Sequence, residues 1–229
     1  LGDVYKRQLV TAPLNYLYKK GYAAKVKAYV EAGGCYVSTY FSGVVDETDL
    51  CILDRHPLEE VLGICTEEMD AANEYHPNSI YFGGKSYQTG CLREVSHVVP
   101  GSGTEVLASY EADYYAGLPA LTCKRYGNGK AYYLACETEA DFLRAFYAQL
   151  AGENNVDGAF TGKLPYGVTA SRREGERNLW FLQNFNASEA EAELPDTYTR
   201  VADGARVEGK VVLKPYECLI LAEKQADGL

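Results

Sequence analysis

The stretch GGCYVSTYFSGVVDETD, residues 33–49, decides how the rest of the chain is read. Its glycine pair ends whatever precedes it, and Cys35 to Tyr40 is then a short apolar run of β-formers, the pattern of a buried strand behind a helix C-terminus. Beyond Tyr40 come Phe41, Ser42, Gly43, Val44 and Val45, then the acids Asp46, Glu47 and Asp49. This is a loop just past a strand's carboxyl end, where open α/β sheets carry their functional groups.

Upstream, Leu9 to Tyr18 starts as a strand and breaks at Pro13. From Lys19 to Gly33, Tyr22, Val26, Tyr29 and Val30 recur at the helical period with lysines between them. Strand, helix and strand make a βαβ unit, so the two strands are expected to be parallel with a right-handed crossover. Downstream, Pro57 to Leu62 predicts a short helix, and Cys65 to Ala71, Ser79 to His97 and Glu105 to Tyr110 predict strands. Ala120 to Tyr126 and Lys130 to Cys136 flank Gly127-Asn128-Gly129, whose Asn-Gly step predicts a hairpin. Thr138 is the predicted cap of a helix carrying Phe142, Leu143, Phe146 and Leu150.

The expected first domain, residues 9–151, is therefore α/β with a mixed sheet. Residues 152–163, rich in Gly, Asn and charge, read as a linker. Beyond them, five or six short strands at regular spacing predict a small all-β antiparallel sandwich over residues 164–224. The opening LGDVYKRQ, residues 1–8, is polar and unpatterned and is expected to be a foreign or truncated start. A sheet that begins there leaves the strand at Leu9 with an open edge.

Composition narrows the partners. The 229 residues carry a net charge of −10, which repels phosphate backbones and anionic lipid, so neither nucleic acid nor a membrane surface is an expected partner. The hydrophobic content of 47% is that of a globular chain. Seven cysteines, an odd number with no C-x-x-C pair, read as buried hydrophobes in a reducing, cytoplasmic setting.

Tyr40-Phe41-Ser42-Gly43, then Asp46-Glu47 and Asp49-Leu50-Cys51, resemble the loop of the β-galactosidase trimerisation domain, the middle domain of glycoside hydrolase family 42 enzymes. Two further segments, Tyr114 to Ala120 and Arg125 to Tyr133, resemble that domain in the expected order, and the residues beyond the linker resemble the family's small β-rich tail. The resemblance implies a flavodoxin-like first domain, similar to class I glutamine amidotransferases. It also implies a homo-oligomer, a trimer, in an enzyme that hydrolyses terminal β-D-galactosides with retention and without a cofactor. The catalytic glutamates of such enzymes stand on a TIM barrel, and no eightfold β/α pattern precedes Leu9. A galactoside substrate is thus expected only in the complete enzyme, and these residues alone are expected to be inactive. Tyr40, Phe41, Ser42, Asp46, Glu47, Asp49, Tyr114 and Tyr115 are the candidates for subunit contact or support of a neighbouring pocket.

The residues themselves offer little chemistry. Retaining glycoside cleavage needs two carboxyl groups about 5 to 5.5 Å apart facing one bond. Adjacent loop acids such as Asp46 and Glu47 point apart. An amidotransferase-like enzyme needs a nucleophilic Cys on a tight elbow beside a His, yet no Cys stands in a G-x-C-x-G setting, and His56, His76 and His97 read as surface histidines. Cys91 and His97, six residues apart in a strand, would lie about 20 Å apart, too far to share a metal. Carbohydrate binding by the tail is a third reading, weakened because Trp180, the single Trp, sits within a strand.

Overall fold

The computed structural model describes residues 8–53, 55–72, 76–156, 158 and 160–223. The expected foreign start lies outside the described residues apart from Gln8. The chain divides into two compact units, Leu1–Val156 and Asp157–Leu229.

In the first unit, β1 (Leu9–Ala12), β2 (Leu17–Tyr18), α1 (Tyr22–Glu31), β3 (Cys35–Thr39), β4 (Val45–Asp46) and α2 (Glu59–Leu62) lead to the long strands. These are β5 (Ile64–Ala71), β6 (Ser79–Phe82), β7 (Lys85–Val98), β8 (Glu105–Tyr110), β9 (Pro119–Tyr126), β10 (Gly129–Leu134) and β11 (Cys136–Thr138), followed by α3 (Ala140–Glu153). The main sheet runs β1-β3-β10-β9-β8-β6-β7-β11, with β5 also paired to β7. β1, β3 and β10 are mutually parallel, and every later pairing is antiparallel, so the sheet is mixed. Among the described residues β1 pairs only with β3. A separate two-stranded ribbon joins β2 and β4 in parallel, Leu17 opposite Val45 and Tyr18 opposite Asp46.

Every residue of β3 is buried because helices cover both faces of the parallel trio. Alternation divides the side chains. Cys35, Val37, Tyr132 and Leu134 join Phe142, Phe146 and Leu150 of α3 in one core. Tyr36, Ala131, Tyr133 and Ala135 join Val26, Tyr29 and Val30 of α1, with Val61 and Leu62 of α2, in the other.

Two local details differ from the sequence expectation. The hairpin between β9 and β10 turns on Gly127 and Asn128, with Gly127 at φ 58°, so glycine occupies the first turn position rather than following the Asn. The register is set there by the end of α1, since the Asn128 N–H donates to the Glu31 carbonyl at 3.0 Å. Helix α3 starts one residue later than a Thr138 cap would place it. Thr138 closes β11, and Glu139 takes the N-cap position without a side-chain cap bond.

The second unit contains β12 (Val168–Arg173), β13 (Leu179–Asn184), β14 (Ala190–Glu193), β15 (Tyr198–Arg200), β16 (Arg206–Val207), β17 (Lys210–Leu213) and β18 (Cys218–Glu223). An antiparallel sheet in the order β12-β13-β18-β15-β16 and a β14-β17 ribbon share one core built on Trp180, Leu182, Ala192, Leu213 and Leu221.

Candidate functional site

The chain gathers its polar machinery at the carboxyl ends of β1, β3 and β10. There the residues after β1 fold against the loop after β3. The Leu14 N–H donates to Thr39 Oγ1 at 2.8 Å, the Asn15 N–H to Ser42 Oγ at 3.2 Å, and the Gly43 N–H returns to the Asn15 carbonyl at 2.9 Å. Three non-glycine residues of this edge have left-handed backbones: Leu14 at φ 47°, Phe41 at φ 60° and Asp49 at φ 64°. Such conformations persist where surrounding bonds over-determine them. The Phe41 ring, half-buried, stacks on Tyr16 with centroids 5.8 Å apart.

Glu94, 4% exposed in the middle of β7, holds Phe41 in place. Its Oε1 accepts the Phe41 N–H at 2.9 Å, and its Oε2 accepts the Tyr133 hydroxyl from the end of β10. Burial pushes the Glu94 carboxyl above its ordinary pKa, outweighing Tyr133, the Phe41 amide and Thr66, which favour the carboxylate. His56 is a second fixing point, not the ordinary surface histidine expected. Its Nδ1 accepts the Leu58 N–H at 3.1 Å, which leaves the proton on Nε2 for the Ser42 carbonyl at 2.9 Å. Burial holds this imidazole below its ordinary pKa, in the neutral form those bonds require. Between the loop and β5 opens a cleft of about 590 Å³, with Ser42, His56, Thr66, Glu68, Glu94 and Tyr133 in its wall.

The sequence-derived candidates fall into distinct roles. Tyr40 and Phe41 sit half-buried at the strand end, and Ser42 is buried and bonded to the β1 side. Asp46 caps its own loop: one carboxylate oxygen accepts the Thr48 N–H, the Thr48 hydroxyl and the Leu50 N–H, which holds its pKa down. Glu47 and Asp49 are exposed. Tyr114 is 67% exposed, whereas Tyr115 is 1% exposed and belongs to the core. The Tyr115 hydroxyl donates to Asp70 Oδ2 at 2.7 Å, beside the buried Arg93, whose Nη2 donates to the His76 carbonyl at 2.8 Å. Tyr115 therefore supports the fold from inside and offers no surface to a neighbour.

Sequence reasoning missed Glu94, Arg93 and the constrained His56. The available signal was the Arg93-Glu94 pair inside the strand run Leu92 to Val98, two charges where alternation buries at least one. A further expectation is corrected here: Cys51, Cys65, Cys91 and Cys218 are exposed, and only Cys35, Cys123 and Cys136 are buried. Cys65 and Cys91 stand on the edge strand β5 and its partner β7, Cys51 lies in the loop after β4, and Cys218 opens β18, so each meets solvent. Among the described residues no Cys sulfur lies within hydrogen-bond reach of a His. None of their His, Cys, Asp and Glu side chains form a group of three able to hold a metal ion. Among the described residues the arrangement positions backbone and rings.

Comparison with known proteins fits that geometry. Residues 3–157 match the β-galactosidase trimerisation domain model, and residues 167–223 match the β-galactosidase C-terminal domain model. The chain is 36% identical to a β-galactosidase of Clostridium perfringens over 97% of its length, and 39% identical to one of Alicyclobacillus acidocaldarius over 99%. It spans 33% and 34% of those two proteins, about a third of each. Among solved structures, a β-galactosidase from G. stearothermophilus superposes with a TM-score of 0.88 at 30% identity, covering 97% of this chain and 33% of that one. The cold-adapted β-galactosidase of Rahnella sp. R3 superposes at 0.84 with 39% identity, covering 95% and 32%.

Proposed function

This chain belongs to the β-galactosidases of glycoside hydrolase family 42, and from that premise we propose that its residues assemble the enzyme and support its pocket, while other residues cleave the bond. The observation that carries the reading is the order of the two matches, trimerisation domain then C-terminal domain, in a chain spanning a third of its relatives. The complete enzyme hydrolyses terminal β-D-galactosides as a homotrimer in the cytoplasm, without a cofactor. Residues 9–151 form the assembling domain, 152–163 the linker and 164–224 the C-terminal β domain. Tyr40, Phe41, Ser42, Asp46, Glu47, Asp49 and Tyr114 shape the contacting edge, and Tyr115 stiffens it from beneath. The parallel trio with helices on both faces supports a flavodoxin-like reading of the first unit's fold.

Light scattering with size-exclusion chromatography tests this directly. The 229-residue chain is expected at three times 25.2 kDa, with no turnover of a nitrophenyl β-galactoside. A monomer at micromolar concentration, or sugar cleavage by this chain, overturns the reading.

One observation favours a second role for the tail. Tyr166 (83% exposed), Phe185 (63%) and Tyr216 (71%) all meet the Asn186 region. Asn186 Nδ2 donates to the Tyr166 carbonyl, the Tyr216 N–H donates to the Asn186 carbonyl, and Phe185 precedes Asn186 in sequence. Exposed aromatic rings present large apolar faces, and on this reading these three form a platform for a sugar ring. Galactan retardation in affinity electrophoresis, lost in a Tyr166→Ala, Phe185→Ala, Tyr216→Ala variant, supports that role, and unaltered mobility of the parent chain removes it. Trp180 is not part of it, being 5% exposed with its indole N–H on Glu223 Oε1 at 2.8 Å.

A further inference from the structure

The tip of the β2–β4 ribbon carries opposite charges side by side. On one flank, Lys19, Lys20 and Lys25 line a cleft of about 560 Å³ with Pro13, Asn15 and Tyr22, and no acid shares that lining. Among the described residues none of these lysines has an ion-pair partner, unlike Lys27, which is bound to Glu60 at 2.7 Å. The other flank, in the loop that follows β4, presents Glu47 and Asp49, exposed and likewise without an ion pair among the described residues. The parallel register sets Tyr18 opposite Asp46, so Lys19 follows the end of β2 and Glu47 the end of β4 at the same end of the ribbon. Exposed apolar side chains belong to the same segments: Leu14 (48%), Tyr16 (40%), Leu50 (65%) and Leu53 (93%).

Exposed apolar side chains together with charged ones are the materials of a protein interface. A closed ring of identical subunits needs two different patches on each copy that complement one another, because its contacts are head to tail. A lysine flank beside an acid flank on one ribbon tip meets that requirement when the tip lies near the symmetry axis. We propose that this tip closes the ring, with Lys19, Lys20 and Lys25 of one copy facing Glu47 and Asp49 of the next. The inference rests on the assembling role proposed above and adds the pairing that sets its direction.

Sedimentation velocity on the 229-residue chain tests the pairing. Two charge reversals are compared with the parent: Lys19→Glu, Lys20→Glu, Lys25→Glu, and Glu47→Lys, Asp49→Lys. Each set alone is expected to raise the dissociation constant of the trimer at least tenfold, and all five substitutions together to restore it. Salt near 1 M, where the screening length falls to about 3 Å, is expected to weaken the parent assembly in the same direction. A trimer indifferent to both reversals overturns this inference and leaves the assembling role standing. Loss without restoration in the five-residue swap also overturns it. A parent chain that is monomeric removes the assembling role and this inference with it.

Discussion

Replacing Glu94 by alanine is expected to be the most damaging single change at the carboxyl edge. The side chain is 4% exposed and accepts two donors, the Phe41 N–H and the Tyr133 hydroxyl. Removing it leaves both without a partner, each costing about 1–3 kcal/mol, so the loss is about 3 kcal/mol before any cavity is counted. In a unit of this size that corresponds to about 6–12 °C in Tm. Glutamine keeps an acceptor for Phe41 and is expected to cost far less. The comparison also has a pH signature. The folded Glu94 carboxyl titrates above its unfolded value, so the native state holds the proton more tightly. The stability this contributes is complete below the unfolded pKa and is lost as pH rises through the folded one. Glu94→Gln cannot ionise, so its Tm is expected to gain on the parent as pH rises from about 4, near the unfolded carboxyl value, through the folded pKa. Calorimetric melts of parent, Glu94→Gln and Glu94→Ala across that range give the answer. A Glu94→Ala chain melting within 2 °C of the parent, about half a kcal/mol, would refute the reasoning.

Three further outcomes follow from other parts of the chain. A Cβ on Gly129 would stand 2.3 Å from the carbonyl oxygens of Gly34 and Val30, both backbone, so Gly129→Ala is expected to cost about 1–3 kcal/mol in urea denaturation; an unchanged midpoint would show that α1 and the hairpin can part. Alkylation of the native chain by iodoacetamide, followed by mass spectrometry, should modify Cys51, Cys65, Cys91 and Cys218 first. Burial pushes Cys35 up to about 11 and Cys136 up to about 12, so early labelling of either would contradict their placement. Glu223 is held down to about 2 by Arg172, Asn178 and Trp180. Stability from such a depressed carboxyl is present above its unfolded value and lost as pH falls towards 2, so the melting deficit of Glu223→Gln should be about 1 kcal/mol near neutrality and vanish in acid.

The parallel β1–β3 pair was legible because local rules set it: the glycine pair stops α1, the helical period of Tyr22, Val26, Tyr29 and Val30 defines its buried face, and a strand must follow; the place of β10 beside β3, nearly a hundred residues on, was not. The second unit was legible as an antiparallel β domain for the same reason, its turns and alternation being local. What the sequence hid depends on partners that arrive from far along the chain. An acid at position 94 does not announce that a hydroxyl from position 133 and a backbone amide from position 41 will converge on it. Tyr114 and Tyr115 are indistinguishable as letters, yet adjacent side chains in a turn diverge, and only the second meets Asp70 and Arg93. His56 looked like a surface residue because nothing local shows that the Ser42 carbonyl will close over it. The hairpin between β9 and β10 was legible from its Gly-Asn-Gly step, while the choice of Gly127 for the positive φ depends on the end of α1, which packs against it.

These long-range bonds share one consequence. Each restrains the same edge: Thr39 holds the amide of the left-handed Leu14, Glu94 that of the left-handed Phe41, and His56 the carbonyl of Ser42. A loop free to move would lose about 0.5–1.5 kcal/mol for every side chain ordered on association, a loss subtracted from whatever the contact gains. Here that ordering is done during folding, at the expense of strained backbone and a buried carboxyl. A fold that carries such costs at one edge, with Tyr16 and Phe41 already stacked and Leu50 and Leu53 left in solvent, is stiffened in the way the assembling role proposed above requires. Relaxing Leu14 and Phe41 to ordinary backbone angles would release that strain only by giving up the Thr39 and Glu94 bonds, so a variant that loses either bond is expected to loosen the edge before it unfolds the unit.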